Sequence, residues 1–213
     1  MKYTTLNSYL KEKFGCKVYK ISLDCGFTCP NRDGTLGYGG CIFCSKGGSG
    51  DFAESRTLGV TEQIESGKEK VKNKIKSGKY IAYFQAFTNT YADVNTLEKI
   101  FSEAINHPDI VALSIATRPD CLEQEKVELL SRLNKIKPIF VELGLQTINE
   151  KTAKYIRRGY TLDVYDDAVE RLHEQGINVV THIIIGLPYE TKEDMLSSVK
   201  YVCKVTDLSL IHI

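Results

Sequence analysis

Apolar, β-branched phrases recur along this chain, and helical periodicity follows each of them. The strand phrases are Lys17–Leu23, Tyr80–Ala86, Ile110–Thr117, Ile139–Gln146 and Ile177–Ile185. Between and around them, helices are predicted at 5–14, Thr61–Ser77, Asn95–Asn106, Leu122–Leu133, 149–157, 162–175 and 191–204. The helix at 5–14 is expected to pack outside the main body. Apolar strands joined by helical crossovers build a parallel sheet with helices over its faces. The even rhythm predicts an α/β fold of the partial TIM-like (β/α) barrel type rather than a doubly wound sheet. No Gly-x-Gly-x-x-Gly turn opens any of the helices, which argues against a dinucleotide-binding domain. The 213 residues are enough for one sizeable core, so the whole chain, 1–213, is read as one domain.

In such a barrel the chemistry sits on the loops that leave the carboxyl ends of the strands. The first of these is the most unusual stretch of the chain, CGFTCPNRDGTLGYGGCIFCSKGGSG at 25–50. It holds Cys25, Cys29, Cys41 and Cys44 among many glycines, so it is an irregular loop able to bring several thiols to one point. Nothing in the chain suggests secretion: there is no apolar leader and no run of roughly 20 apolar residues that would span a bilayer. Clustered cysteines in a cytoplasmic protein read as metal ligands rather than disulfides. The spacing alone admits two metals. Zinc would take Cys25 and Cys29 with Cys41 and Cys44, giving a structural cysteine loop in a zinc-binding or non-catalytic module. An iron–sulfur cluster on three cysteines would leave one iron open. Cys16, Cys121 and Cys203 stand alone and read as buried or incidental.

The other strand ends carry polar or glycine-bearing phrases. They are Gln85-Ala86-Phe87-Thr88-Asn89-Thr90-Tyr91, Thr117-Arg118-Pro119-Asp120, Leu145-Gln146-Thr147 and Gly186-Leu187-Pro188-Tyr189-Glu190. A period of two along Phe140–Gln146 puts Glu142, Gly144 and Gln146 on one face. A carboxylate in the middle of a buried strand is costly unless paired. Glu142 therefore either faces a cavity and a ligand or forms an internal ion pair that fixes the barrel. His182 shares parity with Gly186, and reads as a cavity residue or a satisfied core histidine.

Taken together, the phrases Gly-Phe-Thr-Cys-Pro-Asn-Arg-Asp-Gly, Gly-Gly-Cys-Ile-Phe-Cys, Tyr83-Phe84-Gln85-Ala86, Thr117-Arg118-Pro119-Asp120, Glu142–Thr147 and Gly186-Leu187-Pro188 resemble the YhcC-type radical SAM proteins. They are also similar to the radical SAM half of the Elongator catalytic subunit. The resemblance runs from about residue 10 to residue 205. It implies a [4Fe-4S] cluster on Cys29, Cys41 and Cys44, with Cys25 outside the ligand set, and S-adenosylmethionine (SAM) on the open iron. Reductive cleavage of SAM to a 5′-deoxyadenosyl radical is the implied reaction. The gap from Cys29 to Cys41 departs from the commonest radical SAM spacing, a departure that the Elongator-like group shares.

The resemblance also implies roles around SAM. Gln85 stands where relatives hold the methionyl amino group, although Gln is neutral where an acid is commoner. Glu142 and Gln146 contact SAM or substrate. Arg158 reaches the SAM carboxylate, with helix capping as its plainer reading, and Arg118 either does the same or pairs with Asp120. Gly186 and Pro188 let the backbone pass close to adenine. The implied partners are an electron donor such as flavodoxin or ferredoxin and a substrate of unknown class, with a tRNA base suggested by the Elongator likeness. The net charge of +1 gives nucleic acid no independent support. Catalytic residues are not readable.

Leu208–Ile213 reads as a sixth strand, but these residues also back-translate to CTGTCTCTTATACACATC, a transposon end used in sequencing-library preparation. The expectation is a barrel truncated at the C-terminus with a non-native tail at 208–213.

Overall fold

The structure, a computed structural model, describes residues 4–74, 76 and 78–212. Its centre is a six-stranded sheet in the order β1-β2-β3-β4-β5-β6, with every neighbouring pair parallel. The strands are β1 (Tyr19–Leu23), β2 (Tyr80–Phe84), β3 (Ile110–Thr117), β4 (Ile139–Gln146), β5 (Asn178–Ile184) and β6 (Leu208–His212). Sequential order in an all-parallel sheet is the barrel pattern. The sixth strand read from sequence at 208–213 is present as β6 over Leu208–His212. Ile213, assigned to that strand from sequence, lies outside the described residues.

The helices are α1 (Leu6–Phe14), α2 (Val60–Val71), α3 (Val94–Asn106), α4 (Gln124–Asn134), α5 (Glu150–Tyr155), α6 (Leu162–Glu174) and α7 (Lys192–Val205). Local chemistry sets their ends. Asp93 caps α3 by accepting from the Thr96 amide, and Thr191 and Asp194 form a reciprocal capping box at α7. The sequence carried α2 on to Ser77; the helix ends at Val71, and Ser77 lies outside the described residues.

Period two divides the strands between two cores. Leu23, Phe84, Leu113, Ile115, Val141, Leu143 and Ile183 face outward into the larger core beneath the helices, where Leu97, Phe101 and Ile105 of α3 meet them at helical spacing. Phe84 and Phe101 pack edge to face with centroids 4.9 Å apart. The opposite face is concave. Lys20 on β1 bonds Glu142 on β4 although β2 and β3 intervene. In a flat sheet three strand spacings are about 14 Å, beyond comfortable reach of those two side chains, so the contact requires the sheet to curl.

One placement differs from expectation. Helix α1 packs on the concave face, not outside the body. Leu10 joins Val18, Ile81, Ala112, Phe140 and Val180 in a second core, and Tyr9 meets Phe140 edge to face. The inward residues at the amino ends of the strands are apolar and leave a bare hydrophobic floor, which α1 covers. The inward residues nearer the carboxyl ends (Tyr83, Ser114, Glu142 and His182) are polar, and α1 stops short of them.

Candidate metal and cofactor site

The loop after β1 has no regular structure, so side chains and turns hold it. Pro30 O accepts from the amides of Leu36 (2.8 Å) and Gly37 (3.3 Å), and Asn31 O accepts from Gly40 (2.8 Å). The Arg32 guanidinium donates to Ser45 O (2.5 Å) and Cys44 O (3.2 Å), which ties the two ends of the loop. The buried Asn31 amide donates to Arg157 O (2.8 Å), Arg158 O (3.2 Å) and the Cys41 sulfur (3.2 Å). Gly48 is required in its position: its φ is +62°, and a Cβ there would lie 2.5 Å from the Phe87 ring.

Cys29, Cys41 and Cys44 open on one cavity of about 490 Å3, together with Gln85, Glu142, Gln146 and Arg158. That volume suits a small organic cofactor. Cys25 does not line it, and packs instead against the helix-covered core. Burial, with the charges of Asp24 and Glu103, pushes the Cys25 thiol up to about 12. Burial thus favours the neutral thiol of Cys25 at this position. Burial also raises Cys41, against the lowering effect of the Asn31 hydrogen bond and the Arg118 charge; Cys29 and Cys44 raise it further. The three cavity thiols therefore feel one another's charge.

Their separation tests which group fits. Tetrahedral zinc at a Zn–S distance of 2.3 Å draws its sulfurs to about 3.8 Å apart. Among the described residues, the group whose ligand atoms all lie within 4.8 Å of one another is Glu65, His107 and Asp109, and the loop cysteines form no such group. Three cysteines on one cavity, with Cys25 outside it, are a donor set compatible with a cluster held by three thiolates.

The polar floor is built around Glu142, which is 1% exposed. It accepts from Lys20, Ser114 and His182, the last at 2.7 Å. Burial would raise its carboxyl, but the His182 hydrogen bond and the Lys20 charge outweigh burial and hold it well below the usual carboxylate range. Glu142 is thus both a cavity residue and an ion-pair partner, so the two sequence readings coexist. Tyr83 lies beside it under the Lys20 ammonium, which sits 4.3 Å from the ring centroid. Gln146 has φ +66° at an irregularity in the β4–β5 pairing, an unusual backbone for a side chain that faces a cavity.

Arg158 lines the cavity, whereas Gly186 and Pro188 do not. The Arg158 guanidinium is 1% exposed and occupied: it donates to Tyr160 O (2.9 Å), Leu145 O (3.1 Å), Thr147 O (2.7 Å) and the Glu150 carboxylate (2.9 Å). It clasps backbone carbonyls and has little left for a ligand carboxylate. Gly186 and Pro188 are exposed beyond β5 and are not among the cavity residues. Arg118 pairs bidentately with Asp120 (2.9 and 2.7 Å) and donates to Arg158 O (2.9 Å), the structural alternative of its two readings.

Sequence reasoning passed over Asn31, Arg32, Tyr83 and Tyr160. Tyr83 shares parity with Gln85, so the period-two argument used for Glu142 would have found it. Two acceptors of the Asn31 amide, Arg157 O and Arg158 O, lie more than a hundred residues away, and no local pattern announces them.

A curled parallel sheet, helices on its outer face and a cysteine loop at its carboxyl rim define a (β/α) half-barrel. The chain belongs to the radical SAM superfamily, whose family model matches residues 28–202. It is 50% identical over 201 residues to the uncharacterized protein YtqA of Bacillus subtilis (strain 168), covering 94% of this chain and 62% of that protein. It is 37% identical over 194 residues to protein YhcC of Escherichia coli (strain K12), covering 91% and 62%. The chain thus spans less than two thirds of the length of these relatives. Among solved structures, the archaeal Methanocaldococcus infernus Elp3 superposes with a TM-score of 0.66 at 18% identity, over 92% of this chain and 45% of that one. That likeness is one of fold.

Proposed function

We propose that this chain is the core of a radical SAM enzyme, with a [4Fe-4S] cluster on Cys29, Cys41 and Cys44 and SAM in the adjoining cavity. The observation that carries the reading is the sorting of the loop cysteines: three open on one polar-floored cavity, and Cys25 is turned into the core. When bound, cluster and SAM supply one-electron reductive cleavage of SAM and a 5′-deoxyadenosyl radical that takes hydrogen from the substrate.

The chain's own residues position that chemistry. Asn31 donates to the Cys41 sulfur and thereby steadies one ligand. Gln85 and Gln146 offer amide groups to the cavity, and Glu142 with its partners forms a polar floor that excludes apolar ligands. A one-electron donor such as flavodoxin or ferredoxin, and a cytoplasmic setting, follow from the reaction. No described helix is long and apolar enough to cross a membrane. A tRNA base is the substrate class to try first, on the resemblance to the Elongator catalytic subunit.

Anaerobic reconstitution of the wild type and of Cys25→Ala, Cys29→Ala, Cys41→Ala and Cys44→Ala, with iron and sulfide assayed, tests the ligand set. We expect near-complete loss of iron in the last three and retention in Cys25→Ala. Equal loss from Cys25→Ala and Cys29→Ala contradicts the assignment, and a zinc-loaded, colourless wild type replaces it with a structural loop.

A further inference from the structure

The carboxylate of Glu142 is fully engaged by the protein. Its Oε1 accepts from Lys20 and Ser114, and its Oε2 accepts from Nε2 of His182 at 2.7 Å. An ionised carboxylate can only accept, so Nε2 of His182 carries a hydrogen. In the neutral ring the other nitrogen, Nδ1, then bears the lone pair. Glu142 therefore fixes both the orientation and the tautomer of His182, as a carboxylate partner does for a general base.

Nδ1 lies toward β6, where Nε2 of His212 meets it at 2.9 Å and the two rings stack at 16°. Both histidines line the cavity. Nδ1 of the neutral ring has no hydrogen to give, so His212 is the donor. This position thus already accepts the N–H of a planar ring. His212 is exposed on the edge strand of the sheet, so a ligand can displace it.

The other cavity groups are poorer proton acceptors. Burial raises the phenols of Tyr83 and Tyr160 and keeps them protonated. The guanidiniums of Arg118 and Arg158 only donate, and the amides of Gln85 and Gln146 do not take protons. Asp51 lines the cavity but is exposed to solvent. The charged and titratable groups around the His182 ring are Glu142 from β4 and His212 from β6, with Lys20 and Tyr83 beyond the carboxylate.

We propose that His182 is a proton acceptor for the substrate: its Nδ1 takes the proton of an N–H or O–H group, and Glu142 is the positioning residue that fixes the ring. The inference rests on this cavity being the reaction site. In the step the X–H bond breaks, its electron pair stays on X, and a new N–H bond forms at Nδ1. The charge of the resulting imidazolium is offset by Glu142, and no oxidant or reductant takes part. The substrate class that fits carries an ionisable ring N–H or a hydroxyl.

Two probes test this on the 213-residue chain, before and after iron–sulfur reconstitution. The probe 5-nitrobenzisoxazole loses a carbon-bound proton to a base and opens to a coloured phenolate, so it reports a base within a cavity. Diethyl pyrocarbonate acylates an unprotonated imidazole nitrogen, and peptide mass spectrometry shows which histidine has reacted. Wild type, His182→Gln, His212→Ala and Glu142→Gln are compared, and circular dichroism checks that each is folded. We expect ring opening roughly tenfold or more faster with wild type than with His182→Gln, and faster still with His212→Ala, which uncovers Nδ1. The pH midpoint of acylation at His182 should fall by about one unit or more in Glu142→Gln, because the carboxylate favours the imidazolium. Equal ring opening by wild type and His182→Gln overturns the proposal, as does a His182 that resists acylation even in His212→Ala. Protection of His182 by SAM on the loaded protein assigns Nδ1 to the cofactor and also overturns it. His182→Gln and His212→Ala keep Glu142, so these outcomes stand even if Glu142→Gln does not fold. Failure of the wild type to load iron defeats the cluster reading alone, and leaves both measurements on the unloaded chain intact.

Discussion

Replacing Glu142 with Leu should destabilise the chain strongly, and the structure sets the scale. The carboxylate is buried and is shared by Lys20, Ser114 and His182. Removing one partner of a buried pair costs about 3–5 kcal/mol, chiefly because the other charge is left uncompensated. The Lys20 side chain keeps 21% of its exposure, so water relieves part of that penalty and the lower end, about 3 kcal/mol, is appropriate. For a chain of this size that corresponds to a melting temperature lower by roughly 6–12 °C. Lys20→Met should cost a comparable amount, since Glu142 then stays buried without its ammonium. The double variant Lys20→Met/Glu142→Leu replaces the pair by apolar groups and should recover most of the loss. Urea unfolding of the four proteins, followed by circular dichroism, measures the cycle. If the two single costs simply add, the side chains do not act as a pair, and the cross-sheet tie argued here is refuted.

The same cycle has a pH signature. The folded carboxyl is held below its unfolded value, so its contribution is full above the ordinary glutamate range. It fades as pH falls below about 4.3 toward the folded value. The stability gap between wild type and Glu142→Leu should therefore narrow as pH falls below about 4.3. A gap that widens on acidification would reverse the assigned sign.

Arg158→Met should act on the fold before it acts on any ligand: it strands carbonyls at Leu145 and Thr147 and leaves Glu150 unpaired, at about 3 kcal/mol or more. Unchanged melting with selective loss of SAM binding would restore the cofactor reading of this residue. Gly67→Ala should cost about 1–3 kcal/mol, because a Cβ on α2 would lie 2.3 Å from Ile21 Cγ2 on β1. A thermal melt of that variant matching wild type would mean that α2 moves away from the sheet without penalty.

Much of this architecture is written in local pattern. Ile110–Thr117 and Ile139–Gln146 carry enough apolar, β-branched residues that β3 and β4 occupy the ranges read from sequence. The parity that set Glu142 on one face of its strand also held, because period two survives in any regular strand. What failed depended on distant partners. Whether α1 lies outside or inside was decided by Ile81, Ala112, Phe140 and Val180, drawn from β2 to β5. Arg158 looked available for a ligand because nothing near it in sequence shows that the carbonyls at the end of β4 converge on it. Gly186 and Pro188, placed beside a cofactor by family likeness, are exposed and do not line the cavity.

The peptide oxygen of Arg158 has a consequence for how the protein is made. It accepts from Asn31 in the cysteine loop and from Arg118 after β3, so one carbonyl joins two rim loops. Asn31 precedes that oxygen by 127 residues. During synthesis at about 5–20 residues per second, roughly 6–25 seconds separate the loop from the residue that braces it. Until then the cysteines sit on a glycine-rich segment held only by its own turns and the Arg32 clasp. With the proposed cluster, the loop would take its final shape only after residues 157 and 158 have been made, so loading would follow synthesis of that segment.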